Sequence, residues 1–202
     1  MFAHDLTAGR SVWAYGLTSG ILAPPVALGN SVFATSSGGV YAMLVVDRGE
    51  LQWPGRTFDR ISATSILTNQ GVWVPSEDGT LYALQRADGR DRWKYRATRP
   101  LTRDPILHRN TIYLPVPDLG MVALNALRGD VIWEQKDLDA IPITVTANGL
   151  LLNDRTRVIF VDSQTGRQTA EAPTLWMSDV IADEEDNLYL VSPYGKLQRL
   201  AP

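Results

Sequence analysis

The sequence predicts an all-β protein in which about five small four-stranded antiparallel sheets, or blades, stack radially as a β-propeller. Tryptophans and glycines recur together at intervals of 40 residues, as Gly9 and Trp13, Gly49 and Trp53, Gly89 and Trp93, and Gly129 and Trp133. Short apolar segments separated by turns with Gly, Asn or Asp fill each interval. A sheet of four short strands has two apolar faces that it cannot bury alone, and radial stacking of repeated sheets buries both.

The elements follow in the same order in each repeat. An apolar segment near proline or small residues predicts first strands at 21–28, 61–68, 101–108, 141–147 and 178–183. A turn with Asn or Gly leads to predicted second strands at 31–36, 71–76, 111–116, 149–154 and 187–192. Predicted third strands follow at 40–44, 81–85, 121–125, 158–162 and 197–201. A turn closing on Gly then leads to a fourth strand that ends in the tryptophan.

The repeats organise the chain as one predicted domain over residues 1–202. Its repeats run over about 16–56, 57–96, 97–137, 138–172 and 173–202, and residues 1–15 contribute outer strands. Two arrangements fit this pattern. Either five blades close on themselves, or the chain is a segment of a larger propeller.

The repeated pattern Ala-x-Asp/Asn-x-x-x-Gly-x-x-x-Trp resembles the tryptophan-docking motif of the pyrroloquinoline-quinone-like (PQQ-like) propeller repeats. Residues 3–13 and 123–133 match it, 83–93 carry Gln85 at the Asp/Asn position, and 42–53 contain one inserted residue. A fifth copy keeps Gly166 but has Ala170 in place of the tryptophan. The resemblance implies that each tryptophan stacks on the turn glycine of a neighbouring blade, so we expect these residues to be structural.

Composition and residue types exclude several kinds of chemistry. A net charge of −3 and a pI of 5.4 argue against nucleic-acid binding. The sequence has no cysteine, whereas the catalytic quinoproteins of the PQQ-like family use a cysteine pair, PQQ and a metal ion. The acidic run 182–187 lacks the spacing of a calcium loop, and His4 and His108 are far apart in the sequence. We therefore expect no cofactor, no metal site and no enzymatic activity.

Variable segments between the repeats are the candidate binding residues. They carry a basic patch with one aromatic residue: Arg56, Arg60, Lys94, Tyr95, Arg96, Arg99 and Arg103. Loops between blades share one face of a propeller, and Arg and Tyr are favoured at protein contacts. Trp176 lies outside the docking pattern and either fills the fifth repeat or is exposed for binding.

A non-catalytic scaffold for protein–protein interaction in a cell-envelope assembly is the leading functional interpretation. Within the PQQ-like family the chain is most similar in character to the outer-membrane barrel-assembly lipoproteins, which are periplasmic propellers that bind other assembly proteins. A small-ligand or glycan-binding propeller is the alternative, and a fragment of a quinoprotein dehydrogenase is the remote one. Only structural residues repeat while the loops differ, which favours one asymmetric protein partner.

The location follows from the same resemblance. No apolar run reaches the length of a membrane span, and the N-terminus has neither the basic nor the apolar region of a signal peptide. We expect a periplasmic or otherwise extracytoplasmic protein whose export signal, and a lipoprotein anchor with it, lie outside this sequence.

Overall fold

The computed structural model describes residues 1–146, 149–154, 156–173, 179–182, 187–192 and 194–200. In these residues all regular secondary structure is β-strand, and within each sheet every strand pairs antiparallel with the strands next to it in sequence. Sheet 1 is the hairpin of β1 (Phe2–Asp5) and β2 (Arg10–Ala14).

The remaining strands form five sheets in chain order. Sheet 2 contains β3 (Val26–Leu28), β4 (Ser31–Thr35), β5 (Val40–Val45) and β6 (Leu51–Arg56). Sheet 3 contains β7 (Ile66–Leu67), β8 (Val72–Pro75), β9 (Thr80–Leu84) and β10 (Asp91–Arg96). Sheet 4 contains β11 (Ile106–His108), β12 (Thr111–Val116), β13 (Gly120–Asn125) and β14 (Val131–Gln135). Sheet 5 contains β15 (Ile141–Thr146), β16 (Gly149–Asn153), β17 (Arg157–Val161) and β18 (Gln168–Pro173). Sheet 6 contains β19 (Asp179–Ala182), β20 (Leu188–Val191) and β21 (Leu197–Leu200).

These sheets fall into two compact units. Unit 1 comprises Met1–Pro105 with Leu127–Gly129, and unit 2 comprises Ile106–Ala126 with Asp130–Pro202. Sheets 1, 2 and 3 therefore belong to unit 1, and sheets 4, 5 and 6 to unit 2.

The core of unit 1 lies between sheets 2 and 3. Phe33, Met43 and Trp53 of sheet 2 pack with Val74 and Leu84 of sheet 3, and all five side chains are buried. In sheets 2 and 3 the second and third strands are buried along their whole length, except for the half-buried ends of β5, while the fourth strands are largely exposed. The middle strands therefore form the interior, and the fourth strands form the surface.

The core of unit 2 repeats this arrangement between sheets 4 and 5. Met121 and Trp133 of sheet 4 pack with Leu150, Leu152 and Val161 of sheet 5. A smaller cluster, made of Leu151, Val158 and Leu190, joins sheets 5 and 6. Each described interface thus buries one apolar face of each of its two sheets, which a single sheet cannot do alone.

The first strands of sheets 2, 3 and 4 are shorter than the apolar segments that predict them. Pro24, Pro25 and Pro105 precede β3 and β11, and a proline has no N–H group to donate to a strand ladder. Before β7, Ile61 and Ala63 are completely buried although their backbone forms no strand. The apolar pattern in these segments therefore reflects burial of connecting chain and not strand pairing.

The fourth strands extend beyond the tryptophans instead of ending there. The ladder of sheet 2 continues to the pair Val40–Arg56, and that of sheet 3 to the pair Thr80–Arg96. The third strand supplies partners along this length, so the fourth strand stays paired after its tryptophan. This extension changes the position of several candidate binding residues.

Candidate functional site

Each recurring tryptophan lies against a glycine of a later turn. The ring of Trp13 packs on Gly49, Trp53 on Gly89, Trp93 on Gly129 and Trp133 on Gly166. A β-carbon at Gly49 would lie 2.5 Å from the Trp13 ring, and one at Gly129 would lie 2.7 Å from the Trp93 ring. Only glycine leaves room for the ring at these positions, and its positive φ angle (66° at Gly49) suits the turn.

The indole N–H groups fix the orientation of the rings. Trp13 Nε1 donates to the carbonyl oxygen of Val46 at 2.6 Å, and Trp53 Nε1 donates to that of Arg86 at 2.9 Å. In unit 2, Trp133 Nε1 donates to the carbonyl oxygen of Ser163 at 3.1 Å. The buried polar end of each of these rings is thereby satisfied.

Gly9 differs from the other turn glycines. Its φ angle is 63°, yet a β-carbon there would meet nothing within 4 Å in the described structure. The turn is held instead by Asp5, whose carboxylate accepts the backbone N–H groups of Thr7 and Ala8. Gly9 therefore serves the local turn alone, and no described tryptophan packs on it.

The segments that connect one sheet to the next lie beside the turns between second and third strands. In unit 1 these are the connectors 15–25, 57–65 and 97–105 with the turns 36–39 and 76–79, which we call the connector surface. Backbone hydrogen bonds join them: Thr57 N donates to Gly39 O, Ala97 N to Gly79 O, and Leu101 N to Ser76 O. Segments distant in sequence thus form one continuous surface.

The turn Ser76–Gly79 is the centre of the connector surface. Glu77 N donates to Arg60 O at 2.9 Å, and the guanidinium of Arg60 forms an ion pair with the Glu77 carboxylate at 3.0 Å. Phe58 N donates to the Asp78 carboxylate at 3.1 Å, and a β-carbon at Gly79 would lie 3.2 Å from Arg99 O. Residues of two successive connectors therefore meet at this turn.

The predicted basic residues occupy different kinds of position. The connectors carry Arg60, Arg99 and Arg103. The side chain of Arg103 is half-buried and already interacts with another group of the protein. Arg56, Lys94, Tyr95 and Arg96 lie on fourth strands and not in the loops where the sequence analysis expects them: β6 carries Arg56, and β10 carries the other three. The cause is the extension of the ladder beyond each tryptophan.

Strand alternation separates the members of the patch on β10. Lys94 and Arg96 are exposed on one face of the strand, while Tyr95 is half-buried on the opposite face together with Trp93. Lys94 also forms an ion pair with Asp91 at 2.7 Å and lies 5.0 Å from the ring centre of Tyr82. Tyr95 therefore does not share a binding face with Lys94 and Arg96.

Phe58 is the residue of the connector surface that sequence reasoning overlooked. Its side chain is 87 % exposed, whereas its backbone is fixed by Asp78 and by the neighbouring Thr57, which is buried. A large aromatic side chain held in solvent on an ordered backbone is typical of a residue that anchors a protein contact. The sequence feature that could have identified Phe58 is its position as an aromatic residue inside the polar connector GRTFDR. The alternation of apolar residues along a strand does not account for an aromatic residue there.

The charge of the connector surface is mixed. Asp59, Glu77, Asp78 and Asp104 lie beside the arginines, and Asp104 accepts the backbone N–H and the hydroxyl of Thr64, each at 2.7 Å. The acidic side chains hold the connectors in place and partly neutralise the basic residues. The surface therefore presents an aromatic side chain among paired and unpaired charges.

The carboxyl group of Asp78 has a shifted pKa, which makes the stability of the connector surface depend on pH. Burial raises the pKa of its carboxyl, but hydrogen bonds from Tyr82, Thr80 and the backbone N–H of Phe58 together lower the pKa below its ordinary value of 3.8. A carboxylate whose pKa is lowered on folding stabilises the folded state above the unfolded pKa, and that contribution is lost as pH falls through the folded pKa.

We therefore expect the amide resonances of Phe58 and Thr80 to titrate together in an acid NMR titration, with a midpoint below pH 3.8. The Asp78→Asn variant should abolish this shared transition, because the amide side chain cannot ionise. A midpoint at or above 3.8 would show that the carboxylate is not held by these donors.

Three other features were singled out in the sequence: Trp176, the acidic run 182–187, and the pair of histidines. Trp176 and the residues 183–186 of the acidic run lie outside the described residues. His4 belongs to unit 1 and His108 to unit 2. Within the described part of the chain, no cluster of three or more His, Asp or Glu side chains is arranged to hold a metal ion.

Comparison with known proteins gives the family. The sequence profile of the family described as outer membrane protein assembly factor BamB matches residues 60–185, which is more than half of the chain. The chain belongs to this family. BamB of Bordetella pertussis is 25% identical over 167 residues, which cover 78% of this chain and 43% of the relative. The chain thus spans less than half the length of this BamB relative.

Solved structures agree on the fold. BamB from Moraxella catarrhalis superposes with a TM-score of 0.72 at 18% identity, covering 100% of this chain and 70% of that one. The computationally designed protein Ika8 superposes with a TM-score of 0.82 at 12% identity, covering 100% of this chain and 64% of that one. The chain has the β-propeller fold with PQQ-like repeats that the sequence predicts. No helix among the described residues is long and apolar enough to cross a membrane.

Proposed function

We propose that this chain is a non-catalytic β-propeller scaffold that binds a protein partner in the assembly of the bacterial outer membrane. Membership of the BamB family, described as an outer membrane protein assembly factor, supports the cellular setting. A periplasmic location follows from the same proposal. The observation that carries the binding role is the connector surface of unit 1, with Phe58 exposed on an ordered backbone.

The contact is centred on Phe58 and flanked by arginine. Phe58 supplies an apolar ring to bury, while Arg56, Arg96 and Arg99 are exposed and can form paired hydrogen bonds with carboxylates. Arg60 is already paired with Glu77, so its role is to hold the connector in position. The partner segment combines an apolar pocket or side chain for Phe58 with acidic residues, and its binding weakens as salt concentration rises.

The test combines affinity capture with charge reversal. The protein is incubated with detergent-solubilised envelope of its source organism, and captured proteins are identified by mass spectrometry. We expect wild type to retain outer-membrane assembly proteins, and the Phe58→Ala and Arg96→Glu/Arg99→Glu variants to lose them at unchanged melting temperature. Truncation of a central aromatic anchor costs on the order of 2 kcal/mol or more, or about 30-fold in affinity.

Arg90→Glu is the control, and Arg96→Glu and Arg99→Glu are also measured singly so that each variant changes the net charge by the same amount. Arg90 is an exposed arginine of unit 1 in the turn between the third and fourth strands of sheet 3, outside the connector surface. This variant should capture the same proteins as wild type. If the control loses the partner proteins to the same extent, the loss in the charge-reversal variants reflects net charge and not a specific contact. If Phe58→Ala still captures all of these proteins, the connector surface is not the binding site.

A further inference from the structure

A cleft in unit 2 is separate from the connector surface. It lies between sheets 4 and 5, has a volume of about 430 Å³, and is lined among others by His108, Arg109, Thr111, Ile132, Val145 and Gln164. Pockets for small ligands typically measure about 300–1,000 Å³ and combine apolar walls with a few polar groups. This cleft has that size, and its walls are mainly polar, with apolar side chains from Ile132 and Val145.

Arg109 at this cleft has an unusual backbone conformation. It occupies the two-residue turn between β11 and β12, closed by the pair His108–Thr111, and its φ angle is 53°. The corresponding turn of sheet 2 is closed by the pair Leu28–Ser31 and has Gly29 at this position, with a φ angle of 58°. Glycine adopts this left-handed conformation freely, whereas arginine is strained in it. Strained residues of this kind cluster where a side chain is needed for function.

The guanidinium of Arg109 is available to a ligand. The residue is exposed, and the described part of the chain places no carboxylate within ion-pair distance of it. Thr111, Gln164 and the imidazole of His108 supply further hydrogen-bonding groups along the cleft. The one guanidinium of the cleft thus lies among several other hydrogen-bonding groups.

The cleft also has apolar side chains, and its wall is held in place by hydrogen bonds. Ile132 is 46 % exposed and Val145 is half-buried, and both line the cleft. The wall behind them is fixed because Tyr113 Oη and Trp133 Nε1 both donate to the carbonyl oxygen of Ser163, at 3.3 and 3.1 Å. A ligand that enters therefore meets a preformed surface.

We propose that this cleft binds a carboxylate that is flanked by an apolar group, in a ligand the size of a dipeptide. The planar guanidinium of Arg109 matches a carboxylate with two parallel hydrogen bonds. Among the described residues that line the cleft Arg109 is the only Lys or Arg, so it balances one negative charge, which suits a carboxylate better than a doubly charged phosphate. Ile132 and Val145 cover the apolar part of the ligand.

The experiment is an NMR titration of the ¹⁵N-labelled protein with three probes: N-acetyl-dileucine with a free carboxylate, the same peptide as its C-terminal amide, and an N-acetyl-leucyl-aspartate amide. We expect the free acid to shift the amide resonances of residues 108–111 and 163–164. The dileucine amide should bind with an affinity at least about tenfold lower, because a charge-assisted hydrogen bond is lost. Equal binding of the aspartate amide assigns the cleft to acidic side chains within a chain. Preference for the free acid assigns it to chain ends.

Arg109→Gly is the decisive variant because glycine accepts the left-handed turn. Its melting temperature should equal or exceed that of wild type, while its affinity for the free acid falls about tenfold or more. Arg90→Gln, a turn arginine of unit 1, removes the same charge outside the cleft and should bind as wild type does. Unchanged affinity in Arg109→Gly, or equal binding of dileucine acid and amide, would overturn the proposal.

Discussion

Replacing Trp53 by alanine should lower the free energy of unfolding by roughly 3–5 kcal/mol, the range for a large buried aromatic residue. The ring is 5% exposed, packs with Phe33 at 5.8 Å and Tyr41 at 6.2 Å between ring centres, and lies on Gly89. Its removal leaves a cavity in the core of unit 1 and an unpaired carbonyl at Arg86. Chemical denaturation followed by circular dichroism measures the loss.

Two further variants locate the origin of that loss. Trp53→Phe keeps a ring on Gly89 but removes the N–H donor, so it should cost less than Trp53→Ala. Trp13→Ala should also cost less, because Trp13 is only half-buried although it packs on Gly49 in the same way. If Trp53→Ala unfolds at the same denaturant concentration as wild type, the docking role assigned to the recurring tryptophans is wrong.

Gly89→Ala should be the second most damaging change, with a loss of roughly 2–5 kcal/mol. Two costs add: roughly 1–2 kcal/mol for an L-residue in the left-handed region, and roughly 1–3 kcal/mol for overpacking. The φ angle of Gly89 is 72°, and its added β-carbon would lie 2.8 Å from atoms of the Trp53 ring. The turn cannot move away easily, because Gly89 N donates to Gln85 O at 2.9 Å.

Gly9→Ala is the matched control for Gly89→Ala. Gly9 occupies the same position of the repeat with a φ angle of 63°, and its turn has the same hydrogen bond from Gly9 N to Asp5 O, but no described atom lies within 4 Å of its added β-carbon. It should show the conformational cost alone. In a Trp53→Ala background the extra cost of Gly89→Ala should largely vanish, since the ring that it meets is gone. Equal losses in both glycine variants would mean that the ring imposes no constraint.

The sequence predicts those parts of the fold whose residue patterns recur in every repeat. Alternating apolar residues and turn glycines define the second and third strands, whose observed bounds lie within a few residues of the predicted ones. In sheets 2, 3 and 4 the first strands are shorter than predicted, because apolar residues such as Ile61 and Ala63 are buried without strand pairing. Hydrophobicity reports burial, and a strand also needs a hydrogen-bonding neighbour that only the assembled sheets define.

Other positions depend on close approaches between segments distant in sequence. A β-carbon at Gly39 would lie 2.5 Å from the carbonyl oxygen of Asp59, and one at Gly79 would lie 3.0 Å from that of Ala97. Gly39 is as restricted as the glycines beneath the tryptophans, and Gly79 is somewhat less so. Nothing in their sequence surroundings distinguishes them, because the atom that excludes a side chain comes from the following connector.

The sequence by itself determined the 40-residue period, the β-propeller fold and the residues that recur in every repeat, because repeated local patterns impose the same strands and turns on each copy. The tertiary structure alone decided which variable residues share a surface. It placed Phe58 in solvent beside Asp78 and paired Arg60 with Glu77. It also placed Lys94 and Arg96 on one face of β10 and Tyr95 on the opposite face. The connectors do not repeat, so their contacts follow from distances that are fixed only when the sheets pack together.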